Sequence, residues 1–423
     1  MTMSNAEHDV IVIGAGAAGI AATRRLVEAK IDVLLLEARD RVGGRAYSLR
    51  KGDGPAIDLG CGWLHSANVN PWTEIATALG FEIDRTPPPW QDEKRQMGMA
   101  PAQHNAFGKA SMRFWSHFDT GLEIIDRPAG AYLEAGNPWN ALIDATSTYI
   151  NGAELDRVSA VDLSRYADTQ INWRLLAGFG TLIARCSLGL PIALGCKVTE
   201  IDHSGSDLCV ETAHGALRAR AVIVTVSTNL LAAGALCFKP ELSAPCAAAA
   251  DLPLGYAEKV FLTIDDAAKF PEDARFFGAT DRTATGTYHF RPLGRPVIEA
   301  YFGGRLAREL QTAGKAAMIA FAIEEIASVL GTAIVSHLEP LKVSSWANDP
   351  LVLGSYSHAR PGRAEARSVL GTPIQNRIFF AGEACSIHDF STAHGAYKSG
   401  VAAAEACLAH APIGLRAGRY LSP

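Results

Sequence analysis

Residues 9–45, DVIVIGAGAAGIAATRRLVEAKIDVLLLEARDRVGGR, leave few folds open. They set a strand, a glycine turn, a helix, a second strand and an acid in the order of a dinucleotide-binding βαβ half. Val10 to Ile13 is an all-apolar run, as expected of a parallel strand covered on both faces, and it breaks at Gly14. Gly14 permits the tight turn, Gly16 lets the backbone approach a pyrophosphate, and Gly19, beside Ala18, lets the next helix lie near the strand. The pattern predicts that helix over 17–30, its free N–H groups aimed at phosphates, and a second buried strand over 33–36. Glu37 falls at the strand's end, followed by Ala38 and Arg39, where an acid can bond adenosine ribose hydroxyls. A second signature, RVGGR over 41–45, closes the segment. Gly43 and Gly44 carry no Cβ to obstruct close approach, and Arg45 offers a charged fork to the pyrophosphate. A lone GxGxxG would fit any glycine-rich turn; here the ordered strand, helix, strand and acid argue for the dinucleotide site.

Composition narrows the rest. The 423 residues exceed one ordinary core and imply two or more packed units. With 48% hydrophobic and 20% charged residues the chain reads as globular, and a net charge of -5 provides no basic footprint for nucleic acid. The eight cysteines, at 61, 186, 196, 209, 237, 246, 385 and 407, show neither CxxC pairing nor metal-ligand spacing, and read as reduced thiols of a cytoplasmic protein. The start, MTMSNAEH, is too short and polar for a signal peptide; no apolar run reaches the length of a membrane span, and the end, LRAGRYLSP, is no anchor. No membrane partner is expected. The oligomeric state stays open, a homodimer included.

Along the chain the nucleotide-binding pattern persists to about 85 and yields at TPPPW (86–90) to a polar, tryptophan-bearing stretch with helical pieces. It returns at PIALGCKVTEID (191–202) and in the strand ARAVIVTVS (219–227). Residues 251–340 mix strands such as KVFLTI (259–264) with an amphipathic helix around 316–330, and nucleotide-domain material resumes after Ser344. We therefore expect an α/β fold: a cofactor domain assembled from 1–85, 176–250 and 341–423, and a substrate domain from 86–175 and 251–340.

Five further segments carry chemistry. DLGCGWLHSANVNP (58–71) holds Gly60, Gly62, Trp63 and His65, the last with the default reading of a histidine satisfied by a backbone carbonyl. Lys259 stands in an alternating strand, where a lysine is by default a solvated edge residue. WANDPLVLGSYS (346–357) begins at Trp346 and includes Ser355 and Tyr356. IFFAGEACS puts Gly382 and Glu383 at the end of a buried strand, where open α/β sheets bind ligands. STAHGAYKSG then opens a helix over 391–411, with Ser391 or Thr392 near its cap and Ala393 and His394 in its first turn. Val198, in GCKVTEID, reads on its own as core.

Taken in this order, the motifs resemble the flavin-dependent amine oxidases: monoamine oxidases, polyamine and spermine oxidases, and lysine-specific histone demethylases. The insertions at 86–175 and 265–340 carry little of the likeness. The resemblance implies a Rossmann-like FAD domain of the glutathione-reductase type, discontinuous in sequence, with an inserted α+β substrate domain. It implies FAD held by the two glycine signatures, by Glu37 to Arg39, by Gly60, Gly62, Trp63 and Trp346, by the backbone of Val198, by Gly382 and Glu383, and by Ala393 and His394. The helix at 391–411 would aim its N-terminus at the flavin pyrimidine ring. The family's matching lysine holds a water against flavin N5 and assists reaction with oxygen, which implies that role for Lys259. WLHS…NP is closer to polyamine and spermine oxidases, whose matching histidine lines the catalytic tunnel, than to monoamine oxidases.

Two departures bear on the substrate. Ser355 stands where monoamine oxidases carry the cysteine bonded to FAD, which implies non-covalent cofactor. Tyr356 keeps one wall of the aromatic cage, and Thr392 stands where the second tyrosine is expected. The implied reaction is hydride transfer from an amine Cα to flavin N5, hydrolysis of the imine, and reduction of oxygen to hydrogen peroxide. A di- or polyamine or related secondary amine is the expected substrate. Oxidation of a primary or cyclic monoamine and dehydrogenation with a protein acceptor stay open. So does L-amino-acid oxidation, which needs an arginine clamp that Arg113, Arg174 or Arg291 would have to supply. An interaction role of the histone-demethylase type would require an added helical protrusion.

Overall fold

The apolar run at 10–13 lies at the middle of an eight-stranded mixed sheet in the computed structural model, which describes residues 7–50, 56–119 and 124–411. The strand His8–Ile13 runs parallel to Val33–Leu36 on one side and to Gly215–Val224 on the other, with Ile13 opposite both Leu36 and Val224. Ile192–Ala193 extends the parallel set beyond Val33–Leu36. The strand Gly215–Val224 changes character along its length. Its polar first half pairs antiparallel with Leu208–Thr212, while its buried AVIV end pairs parallel with Ile378–Phe380. Side chains with no solvated face have to be apolar, and the composition shifts where burial sets in, at Ala221–Val224.

The first glycine turn leads into the helix Ala17–Glu28, which ends two residues before the expected Lys30 because Ala29 caps it and Lys30 turns at φ 60°. This helix packs on Ala393–His410 at a distance that only glycine allows: a Cβ on Gly400 would lie 2.2 Å from the Ala18 carbonyl oxygen. These elements belong to one compact unit, Met1–Tyr47, Gly180–Leu252 and Glu365–Pro423.

The second unit, Ser48–Phe179 and Pro253–Ala364, is built on a five-stranded antiparallel sheet. Its order is Ala274–Phe277, Thr287–Phe290, Val297–Gly303, Ala257–Ile264 and Leu338–Val343. One face carries Val260, Leu262, Phe276, Tyr288, Ile298 and Phe302, packed with Met318, Ala322 and Ile326 of the helix Lys315–Leu330. By the alternation of strand side chains, the other face carries Lys259, Phe261, Arg275, Phe277, Thr287, His289, Glu299 and Tyr301.

Two boundaries differ from expectation. Residues 48–85 belong to the second unit, because Ser48–Leu49 pairs with Ile57–Asp58, Leu64 bridges to Trp173, and Ile83–Asp84 pairs with Arg174–Leu175. Residues 341–364 join it too, since Leu338–Val343 is an edge strand of its sheet and Ser355 N donates to the Gly255 carbonyl. Both segments look like nucleotide-domain material only in the motifs they carry. Among the described residues no helix is long and apolar enough to cross a membrane. The stretches 1–6 and 412–423, weighed above as signal and anchor, lie outside the described residues.

Candidate active site

In the first unit the two glycine signatures meet backbone to backbone. Gly43 N donates to the Ala15 carbonyl at 2.8 Å, Gly16 and Gly43 form a parallel bridge, and a Cβ on Gly44 would lie 3.3 Å from Gly16 Cα. Behind them, a Cβ on Gly19 would come within 1.9 Å of the Gly14 carbonyl oxygen, so strand and helix close on each other through that glycine. The buried Glu37 carboxylate braces the turn: Oε2 accepts from Ala15 N at 2.8 Å and Oε1 from Arg39 N at 2.9 Å. The helix Ala17–Glu28 starts from Gly16 with no side-chain cap and no acid in its first turn. Its N-terminal N–H groups therefore suit an anion, and a Cβ on Gly16 would meet nothing within 4 Å.

Arg45 and Glu383, each expected to hold the cofactor, form an ion pair, Nη1 to Oε1 at 2.9 Å. Ser391 N donates to the other Glu383 oxygen at 2.9 Å. Arg45, Thr225, Gly382 and Glu383 line a small cavity at the strand ends. Thr392 is the cap of the helix Ala393–His410: its hydroxyl accepts from Gly395 N at 2.9 Å and donates to the Asp389 carbonyl at 2.6 Å. The His394 ring is buried, with Nε2 3.2 Å from Asp389 Oδ1. Burial opposes ionisation of Asp389, but hydrogen bonds from His394 and Lys398 outweigh it and hold the carboxyl at about 2. Ala18, Ala38 and Ala393 place no functional side chain; Val198 begins a strand with its side chain buried, as a core valine would.

In the second unit three motifs converge on Lys259. Its strand is paired on both sides and the side chain is buried, which rules out the solvated edge. The strand starts at Ala257, two residues before the expected point. Lys259 Nζ donates to the Asp58 carbonyl at 3.0 Å and pairs with Glu299 Oε1 at 2.8 Å. Gly62 abuts the amine, a Cβ there lying 3.8 Å from Nζ. Trp346 Nε1 donates to the Leu59 carbonyl at 2.8 Å, so DLGCGW meets both Lys259 and Trp346, and Gly60 lies between Leu59 and Gly62 in sequence. Glu258, on the core side of the same strand, accepts from Trp346 N, Ala347 N and Ser344 Oγ; burial pushes its carboxyl up.

Trp63 packs against side chains of the same unit: its ring lies under the Arg174 guanidinium at 4.9 Å and stacks on His289 at 6.5 Å. Arg174 joins two acids, with Nη2 2.6 Å from Asp84 Oδ2 and 2.9 Å from Asp273 Oδ2. Burial works against ionisation of Asp273, yet bonds from Arg174 and His289 bring it well below the usual carboxylate range. Burial lowers His289, against the pull of Asp273. His65 Nδ1 lies 2.6 Å from Asn172 Oδ1, an arrangement that puts the ring proton on Nδ1. This partner is a side chain.

Tyr356 donates to the Tyr149 carbonyl and accepts from Tyr301 at 2.8 Å. Burial raises both phenols, so they stay neutral donors. Sequence reasoning missed Tyr301, Glu299, His289 and Asp273. A signal was present: in VIEAYFG the polar Glu299 and Tyr301 are two residues apart in an apolar strand, hence on one face.

The family pattern of flavin containing amine oxidoreductases matches residues 17–155 and 129–408. The chain belongs to that family. Among its relatives, polyamine oxidase 4 of Oryza sativa subsp. japonica is 28% identical, the match covering 94% of this chain and 88% of the relative. Polyamine oxidase 3 of the same plant is 29% identical, over 94% and 88%. Lysine-specific histone demethylase 1 homolog 2 of Arabidopsis thaliana is 26% identical, over 95% of this chain but 58% of the demethylase. This flavin containing amine oxidoreductase is thus an enzyme acting on amines, with FAD as its cofactor. The uncapped helix start, the open space over Gly16 and the braced Glu37 fit the adenosine diphosphate part of that cofactor.

Proposed function

We propose that the enzyme is an oxidase of extended amines, with a di- or polyamine or related secondary amine as substrate and oxygen as acceptor. The observation that carries the reading is the near end-to-end match to polyamine oxidases, 94% of this chain against 88% of the relative. Bound FAD supplies a two-electron acceptor for the amine Cα–H and then a donor to oxygen, the imine hydrolysing and hydrogen peroxide leaving. Gly14, Gly16, Gly19, Glu37, Gly43 and Gly44 hold its adenosine diphosphate half; Arg45, Gly382, Glu383 and the helix start at Ala393 serve the remainder. The cofactor is non-covalent, since Ser355 provides no thiol and its hydroxyl donates to the Gly255 carbonyl at 2.9 Å. Acid precipitation leaves the yellow chromophore in the supernatant; a yellow pellet would contradict this.

Lys259 holds water and positive charge for the oxygen step. Tyr356, fixed by Tyr301, offers an aromatic wall to the amine. Thr392 is committed to its cap and is not aromatic, which favours a longer amine over a compact aromatic one. An amine gives up hydride from its Cα readily only when the adjacent nitrogen is neutral; His65 accepts or holds a proton from a second nitrogen. Support for amino-acid oxidation is weak: Arg174 is held by Asp84 and Asp273, Arg291 by the Phe270 carbonyl and Glu272, and exposed Arg113 by Glu134.

Peroxide release over a panel of spermine, spermidine, benzylamine and amino acids tests the reading. We expect spermine or spermidine to give the highest kcat/KM, rising from neutral to alkaline pH, and His65→Ala to depress polyamine turnover more than benzylamine turnover. Highest activity on an amino acid would overturn it.

A further inference from the structure

We propose that Glu299 is the positioning counterion of Lys259, holding its amine aimed at the Asp58 carbonyl. The kinetic side of this inference rests on the reading that Lys259 serves the oxygen step.

The amine is enclosed on all the sides its neighbours define. Asp58 O lies 3.0 Å away, Glu299 Oε1 2.8 Å, the Gly62 backbone abuts it, and the Phe261 and Tyr301 rings stand 5.9 and 5.8 Å from Nζ. The lysine side chain is 9% exposed. A buried ammonium needs an opposite charge to offset its desolvation, and a neutral carbonyl compensates only in part. Among the described residues, Glu299 is the carboxylate that forms an ion pair with it. Sheet register places it there: Tyr301 is directly opposite Lys259 and Glu299 opposite Phe261, so Glu299 reaches the amine diagonally on one face. A glutamate is a poor strand former, and this one interrupts the apolar run VIEAYFG, as expected where a charge partner outweighs propensity.

Other charged groups border the pair. His289 is directly opposite Glu299 on the next strand, Arg275 follows His289 on the strand beyond, and Lys342 is opposite Phe261 on the edge strand. Asp273 and Arg174 sit behind His289. The Asp58 carboxylate is turned to Phe179 N at 3.0 Å, so Asp58 presents its carbonyl to the lysine while its charge serves elsewhere. Glu258 points to the opposite face of the strand. None of these replaces Glu299 in contact with Nζ.

The test uses holoenzyme and two readouts. Competitive acetylation of Lys259 with acetic anhydride across pH, read by mass spectrometry of its peptide, reports the neutral fraction of the amine without turnover. In Glu299→Gln the labelling midpoint should fall by at least about one pH unit, giving about tenfold more acetylation at a fixed pH below it. Glu299→Asp should show a smaller rise, of about two- to fivefold, and carries the same test if the glutamine variant does not fold. Labelling equal to the parent in whichever variant folds would overturn the proposal. In stopped flow, Glu299→Gln should slow flavin reoxidation and shift its pH profile in the parent but add nothing to Lys259→Met. An equal effect in both backgrounds would make Glu299 structural and overturn its action through Lys259. If Lys259→Met itself reoxidised like the parent, the oxygen role of Lys259 would fall, and the acetylation shift alone would decide the pairing.

Discussion

In the first unit the proposed cofactor surface is backbone. Gly16 against Gly43, Ala15 N on Glu37 and the uncapped start of Ala17–Glu28 present N–H groups and open space, with few side chains beyond the Arg45–Glu383 pair. In the second unit the surface is side chain: Lys259, Glu299, His289 and Tyr301 come from three strands and share a face only because the sheet register aligns them. Recognition of an unvarying cofactor can be written in a local glycine grammar. A charged face for a variable substrate is assembled from distant residues, each replaceable on its own. The first design should therefore fail abruptly and the second by degrees.

The largest expected effect attacks the backbone surface. Gly19→Val puts a side chain where even a Cβ is 1.9 Å from the Gly14 carbonyl, and backbone cannot step aside as a flexible side chain would. We expect FAD affinity to fall by at least about 100-fold, equivalent to ~3 kcal/mol, in fluorescence titration of the apoprotein. Retention of FAD within about threefold of the parent would break the comparison on its first side.

Next comes the buried charge network of the second unit. Arg174→Leu leaves Asp84 and Asp273 without their shared cation, and chemical denaturation should show a loss of about 3 kcal/mol. Asp273→Asn, which keeps a polar partner, should cost less. Equal, negligible costs would mean that the pairs contribute nothing to the sheet face.

The smallest effect is a pH dependence. Burial lowers His289, so below the ordinary imidazole range the unfolded chain takes a proton that the folded ring refuses. The unfolded state then binds more protons, and stability falls as pH drops below the ordinary imidazole range. His289→Gln should flatten that slope; an unchanged slope would assign it to other groups.

Much of the first unit was legible because its chemistry is contiguous. Residues 9–45 contain the strand, turn, helix, acid and second turn, and the hydrogen bonds joining them run within that segment. The Arg45–Glu383 pair, 338 residues apart, was not legible: each residue had a cofactor role to fill and neither predicted the other. Lys259 was found through its motif, but its burial depends on strands at 297–303 and 338–343 that pair on either side of it. Thr392 was read as a missing cage wall, and its hydroxyl is committed to the helix cap, a role that the STAH opening already suggested. The domain boundaries shifted because DLGCGW and the segment after Ser344 carry cofactor motifs while their backbones pair within the second unit.

The central claim, an amine oxidase built for extended amines, is tested most directly by the reductive half-reaction. Holoenzyme is mixed anaerobically with spermine or with benzylamine, and the loss of flavin absorbance is followed by stopped flow. We predict bleaching by both families of amine at most weakly for benzylamine, with a second-order rate constant at least about tenfold higher for spermine. Equal rate constants for the two, or faster bleaching by benzylamine, would contradict the account.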